Sequence, residues 1–135
     1  MKLTLDVSYD YQFLLLGIIC NSRDYRLGWF LNNYLDMSLE RQEDLEATHK
    51  KKHSQHAYLS FNDDENRISY HLIQNKTSQG IYIPETRDAD FLLKIEDEGA
   101  LLVSELIKKL RAVPLIQAVF EIEVDELKNK ELLIF

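Results

Sequence analysis

Glu85 and Asp90 have Arg87 and Asp88 between them, so two carboxylates and a guanidinium could converge at the mouth of a strand and hold a cation or an amine. A plainer arrangement competes with this one. A glutamate directly after a proline, here Pro84, commonly accepts backbone N–H groups in a turn, and Asp90 would then face solvent or pair with Arg87. The structural role is preferred, because function has to be argued from an assembled site. His49, His53 and His56 are spaced four and three residues apart, and on a helix their imidazoles would share a face and could ligate a transition metal. Lys50, Lys51 and Lys52 lie inside that run and oppose a divalent ion, so a solvated loop without a metal is expected. Cys20 is the only cysteine, which removes a disulfide framework and a four-cysteine zinc site; it reads as an inert buried thiol in a reducing compartment.

A second group of residues points to recognition rather than catalysis. Tyr25, Arg26, Trp29, Asn32 and Asn33 fall largely off the apolar stripe of the first helix, and Trp and Arg are the residue types that dominate binding energy at interfaces. The alternative for Trp29 is that it covers the edge of the core, since large aromatics are often only partly buried. Catalytic signatures are missing from the sequence. Gly17, Gly28, Gly80 and Gly99 are scattered singly, and there is no phosphate-binding loop, Gly-x-Ser-x-Gly elbow or His-Glu-x-x-His helix. No catalytic residue, metal or cofactor is therefore assigned, and an enzyme using Glu85 and Asp90 with Arg87 or the histidines is the less favoured class.

The elements that must carry these residues follow from periodicity. Tyr11 to Cys20, short and rich in aromatic and aliphatic residues, predicts a strand buried on both faces. Asn21 or Ser22 caps a helix whose apolar stripe is Leu27, Phe30, Leu31, Tyr34 and Leu35. Ser38 to Thr48 has helix-favouring composition but is read as a strand returning to the sheet. Ala57 to Phe61 and Arg67 to Gln74 alternate on either side of Asn62 to Asn66 and predict a hairpin. Ile81 to Ile83 reads as a short strand ended by Pro84, and Ala89, Phe91, Leu93 and Ile95 as the one strongly apolar face of the next. Val103, Leu106, Ile107 and Leu110 form the stripe of a second helix, with Asp97 and Glu98 at its start, Lys108, Lys109 and Arg111 at its end, and Pro114 stopping it. A last strand alternates from Ile116 to Val124.

This pattern predicts an α+β fold over residues 1–135 as a single domain, with a mostly antiparallel sheet and two helices on one face. The order β-α-β-β-β-β-α-β resembles a ferredoxin-like, split βαβ sandwich with an inserted hairpin, and leaves the opposite face of the sheet free. The passage from the second helix through Val113 and Pro114 into the last strand also looks like the end of small ACT-type regulatory domains, a likeness of architecture alone. A formal charge of −7, from 16 basic and 23 acidic side chains, disfavours nucleic acid and anionic membrane surfaces as partners. Phe13 to Cys20 is the longest apolar run, far short of the ~20 residues needed to span a bilayer, and no basic region precedes it, so a cytoplasmic chain without a membrane partner is expected.

Two stretches carry a more specific resemblance. Ile83-Pro84-Glu85-Thr86-Arg87-Asp88-Ala89-Asp90-Phe91 resembles the signature of the bacterial IPExxxVDY family, with Ala89 in place of the valine and Phe91 in place of the tyrosine. Asp24-Tyr25-Arg26-Leu27-Gly28-Trp29 with Leu31-Asn32, and Leu127-Lys128-Asn129-Lys130-Glu131, are similar to other parts of that family, although Gly28 departs from the side chain usual there. The resemblance adds no activity. Residues and resemblance together lead to the expectation of a cytoplasmic protein-interaction domain, homodimeric or bound to another cytoplasmic protein, with an ACT-like small-molecule sensor as the alternative.

Overall fold

The computed structural model describes residues 13–98 and 101–135. Strand β1 (Leu14–Ile19) leads into helix α1 (Asp24–Tyr34), followed by β2 (Glu40–Arg41), β3 (Leu45–His49), β4 (Lys52–His56), β5 (Tyr58–Asp63) and β6 (Ile68–Gln74). After a 3-10 turn at Pro84–Thr86 come β7 (Phe91–Asp97), helix α2 (Val103–Arg111) and β8 (Ala118–Glu121), then 3-10 turns at Val124–Glu126 and Lys130–Leu133. The fold is α+β. Six strands form one sheet in the order β2-β5-β6-β7-β1-β8, every neighbouring pair antiparallel, while β3 and β4 form a separate two-stranded ribbon. Because β1 lies between β7 and β8 and is antiparallel to both, β7-α2-β8 is a parallel pair split by one strand.

Pleating sends alternate side chains to opposite faces of the sheet, and here both faces are dry. On one face Leu16, Ile18, Leu93 and Ile95 pack with Leu27 and Leu31 of α1 and Leu106 and Leu110 of α2. On the other, Leu15, Ile73 and Leu92 pack with Ala47 of β3, Tyr82, Ile83, Val124, Leu127 and Leu133. The expected free face does not exist. The β3–β4 ribbon, the loop after β6 and the segment after β8 cover it, and β7 is accordingly buried on both sides, including Lys94 at 2% exposure.

Other expectations are corrected in the same way. The single strand expected over Ser38 to Thr48 is two short strands in different sheets. Met37 and Leu39 belong to the helix-side core and Ala47 to the opposite one, so the chain must pass around the sheet edge through the polar residues Gln42, Glu43 and Asp44. The solvated loop expected around the histidines is the β3–β4 ribbon, which turns at Lys50 and Lys51 with both φ angles positive (52° and 68°). Ile81 to Ile83 is not a strand. It makes one isolated bridge, Lys76 to Ile81, and Pro84 opens a 3-10 turn, where its fixed φ and missing N–H are tolerated.

Neither Asn21 nor Ser22 caps α1, whose N-cap position is Arg23 without a side-chain bond. Tyr34, placed on the buried stripe, is 53% exposed, because the helix sets only Leu27, Gly28 and Leu31 fully against the sheet. The last strand is shorter than Ile116 to Val124, and Val124 lies in a 3-10 turn. Tyr11 and Gln12, expected at the start of the first strand, lie outside the described residues. The Asn62–Asn66 hairpin forms as expected between β5 and β6, with Asp63 opposite Ile68.

Candidate functional site

The residues singled out in the sequence fall into three separate places. Tyr25, Arg26, Trp29 and Asn33 are all exposed on α1, Tyr25 at 68% and Trp29 at 59%. One turn and two turns along a helix bring Tyr25, Trp29 and Asn33 onto one outward face. Trp29 meets Phe30 edge-on at 5.2 Å, Phe30 stacks on Tyr34 at 5.8 Å, and the Arg26 guanidinium lies 5.9 Å from the Phe30 ring, so α1 carries a continuous aromatic strip. Asn33 Nδ2 donates to the Trp29 carbonyl, and Asn32 brackets Leu39 by both a donated and an accepted bond, which fixes the chain leaving the helix.

Glu85 and Asp90 do not converge. Glu85 accepts the backbone N–H groups of Lys128 and Asn129 and the Asn129 side-chain amide, and so holds the segment after β8 against the sheet. Its desolvation is outweighed by these hydrogen bonds, which keep its carboxyl below the ordinary range. Asp90 accepts from the Cys20 N–H at 2.8 Å and lies 3.3 Å from the Lys76 ammonium, while Arg87 is exposed and pairs with neither carboxylate among the described residues. Each acid anchors a different stretch of backbone. Cys20 is buried, and burial, reinforced by Asp90, raises its thiol pKa.

The three histidines are divided by the pleat. His49 and His56 face inward beside Ala47 and Ser54, His53 lies on the other face of the ribbon, and each ring is engaged separately: His49 with the Tyr82 carbonyl, His53 with Thr48, and His56 with Ser54 and the Gln74 carbonyl. Among the described residues no group of three or more His, Cys, Asp or Glu is placed to hold a metal.

Sequence reasoning missed two polar centres. Asn75 is fully buried, donating from Nδ2 to Thr86 and Ala89 and accepting the Ile83 N–H at Oδ1, so one amide holds the whole Ile83–Ala89 loop. On the same sheet face, Tyr58 lies 2.7 Å from His71 Nδ1, His71 Nε2 lies 2.8 Å from Glu96 Oε1, and the Lys94 ammonium lies 3.8 Å from Glu96 Oε2. An ionised carboxylate only accepts, so Nε2 carries the proton and Nδ1 of the neutral ring accepts from the Tyr58 hydroxyl. Burial pushes the His71 and Lys94 pKa values down and that of Tyr58 up. The only available signal was a lysine and a histidine at alternating positions of strands expected to be half-wet, which reads as solvent exposure.

Comparison with known protein families, with curated proteins and with solved structures finds no match to this chain.

Proposed function

We propose that this chain is a protein-interaction domain that pairs with a second copy of itself through the outward face of α1. The observation that carries the reading is that Tyr25 and Trp29, one turn apart on the outward face of a short helix, are both more than half exposed, with Tyr34 more than half exposed at its flank. Large aromatics with an adjacent arginine are the side chains that supply binding energy at interfaces. The strip is also self-complementary. In an antiparallel pair centred on Trp29, Arg26 of each copy comes opposite Asn32 of the other, four residues from its Asp36, and the helix dipoles oppose. Pairing through the sheet is less well supported. Both faces are covered, β2 is two charged residues long, and Arg111 donates to the Val119 carbonyl on the free edge of β8.

Ferredoxin-like architecture remains part of this proposal, supported by the run β8-β1-β7-β6 with a helix after β1 and another after β7. Membership of the IPExxxVDY family and a cytoplasmic setting are proposed with it. The family-like residues support it by their work in the fold: Ile83 is buried, Glu85 anchors the segment after β8, and Asp90 anchors the end of β1. Among the described residues no helix is long and apolar enough to cross a membrane.

One helix face is at the small end of stable interfaces, so a concentration-dependent dimer is expected. Light scattering across a dilution series tests it. The wild-type chain should pass from dimer to monomer, and W29A should remain monomeric with an unchanged melting temperature. A wild-type chain that is monomeric at every concentration removes the reading. The small-molecule-sensing alternative draws on a cavity of about 520 Å³ beside α2, lined by Leu35, Met37, Ile68, Tyr70 and Leu106. Thermal-shift screening with amino acids and central metabolites tests that alternative, which requires at least one ligand to raise the melting temperature.

A further inference from the structure

Lys94 is placed as few lysines are. Its side chain is 2% exposed in the middle of β7, directly opposite His71 on β6, and its ammonium lies 4.1 Å from the centre of the Phe135 ring and 4.9 Å from that of Phe13. A ring face attracts a cation, but the group remains largely desolvated, with its carboxylate neighbour Glu96 at 3.8 Å, beyond hydrogen-bonding distance. Desolvation disfavours the charged form and leaves more of the free, nucleophilic amine near neutral pH, an effect that Glu96 only partly offsets. Beside it stands the Tyr58–His71–Glu96 chain, in which a phenol O–H is bonded to an imidazole that a carboxylate orients. Nothing in the proposed pairing through α1 uses these four residues.

Phe135 is the element that closes this group off. Its ring stands edge-on to Tyr58 at 5.3 Å and to His71 at 5.4 Å and lies against Lys94, yet Phe135 itself is 46% exposed. Ring contacts of this kind are individually weak, so an aromatic ring arriving from solution can compete for the place. We propose that Phe135 plugs a site at which the Lys94 amine forms an imine with an aromatic aldehyde, whose ring takes the position of the Phe135 ring.

The amine nitrogen attacks the carbonyl carbon to form a C–N bond, and one proton passes from the nitrogen to the carbonyl oxygen to give a carbinolamine. The C–O bond then breaks, the hydroxyl leaves as water with a proton from Tyr58, and the nitrogen releases one proton, which returns to Tyr58. The net change is amine plus aldehyde to imine plus water, with no oxidant or reductant consumed. His71, held by Glu96, keeps the Tyr58 hydroxyl oriented as donor and acceptor.

Benzaldehyde followed by borohydride reduction, with peptide mass mapping of the intact chain, tests the proposal. In F135A the benzyl adduct should appear on Lys94 ahead of the exposed Lys50, Lys51 and Lys52, and at least about tenfold faster than on Lys94 of the wild type, where the plug must first open. K94R in the F135A background should lose that adduct while the exposed lysines label as before, and Y58F should slow it. F135L, which keeps the apolar bulk and loses the ring, is the second variant if F135A does not melt as the wild type does. Lys94 left unlabelled in a folded plug variant, or labelled no faster than Lys51, overturns the proposal.

Discussion

Single side chains hold this molecule together at points where the backbone has no strand or helix to join. Asn75 satisfies four groups of the Ile83–Ala89 loop with one amide. Its replacement leaves buried N–H and C=O groups without partners, so N75A is expected to cost about 3 kcal/mol in denaturant unfolding. Gly17 acts through the absence of a side chain. A Cβ there would stand 2.5 Å from the Phe120 ring that lies across β1, and G17A should destabilise by about 1–3 kcal/mol, measured the same way. Two buried histidines give the stability a pH dependence. Burial lowers the pKa of both His56 and His71, so the folded chain binds fewer protons than the unfolded one just below the ordinary histidine value. Stability is therefore complete above about pH 6.5 and declines as the pH falls through the lowered folded values. The melting temperature should drop between neutral and mildly acid pH, and the drop should shrink in H71Q. Glu85 acts in a lower window. Its folded pKa is depressed, so its contribution is present above the ordinary carboxylate range and lost below it, and E85Q should flatten only that part of the profile.

At the scale of elements, short strands are made to serve by what crosses them. The β3–β4 ribbon is joined by Lys50 and Lys51, both left-handed, which suits the right-handed twist of a two-residue hairpin but strains side chains bearing a Cβ. Replacing the pair by Asn-Gly relieves that strain. K50N/K51G should raise stability by about 1 kcal/mol, read as a rise in melting temperature, and an unchanged or lower value would show that the lysines contribute something else there. Helix α2 was legible because its signals agree: Leu106 and Leu110 are buried, basic residues fill the last turn, and the Asp97 carboxylate accepts the Leu101 N–H just before the helix. Segment 38–49 was not legible, since no period survives in a stretch whose apolar residues serve two different cores.

At the scale of the molecule, the sheet is a central layer between helices on one side and the β3–β4 ribbon with irregular chain on the other. With both faces closed, three of the exposed large aromatics among the described residues, Tyr25, Trp29 and Tyr34, lie on α1, and this directs the proposed pairing to the helix rather than the sheet. Charge belongs to that interface as well. With Arg26 opposite polar and acidic groups of the second copy, R26D should weaken self-association about tenfold, and added salt should weaken the wild-type dimer in the same direction. Both are read from sedimentation across a concentration series.

The two helices, the β5–β6 hairpin and the exposure of Tyr25 and Trp29 on α1 were determined by the sequence alone, because each rests on local periodicity, turn residues or large side chains off a stripe. The covering of the second face was decided only by the tertiary structure. The segments that cover it, 76–90 and 124–135, have little regular secondary structure and so no period to read, and they are fixed by long-range bonds such as those from Lys128 and Asn129 to Glu85 and from Tyr82 to Leu132. Lys94 and His71 followed from that decision, since a strand position is wet or dry according to what a distant part of the chain lays over it.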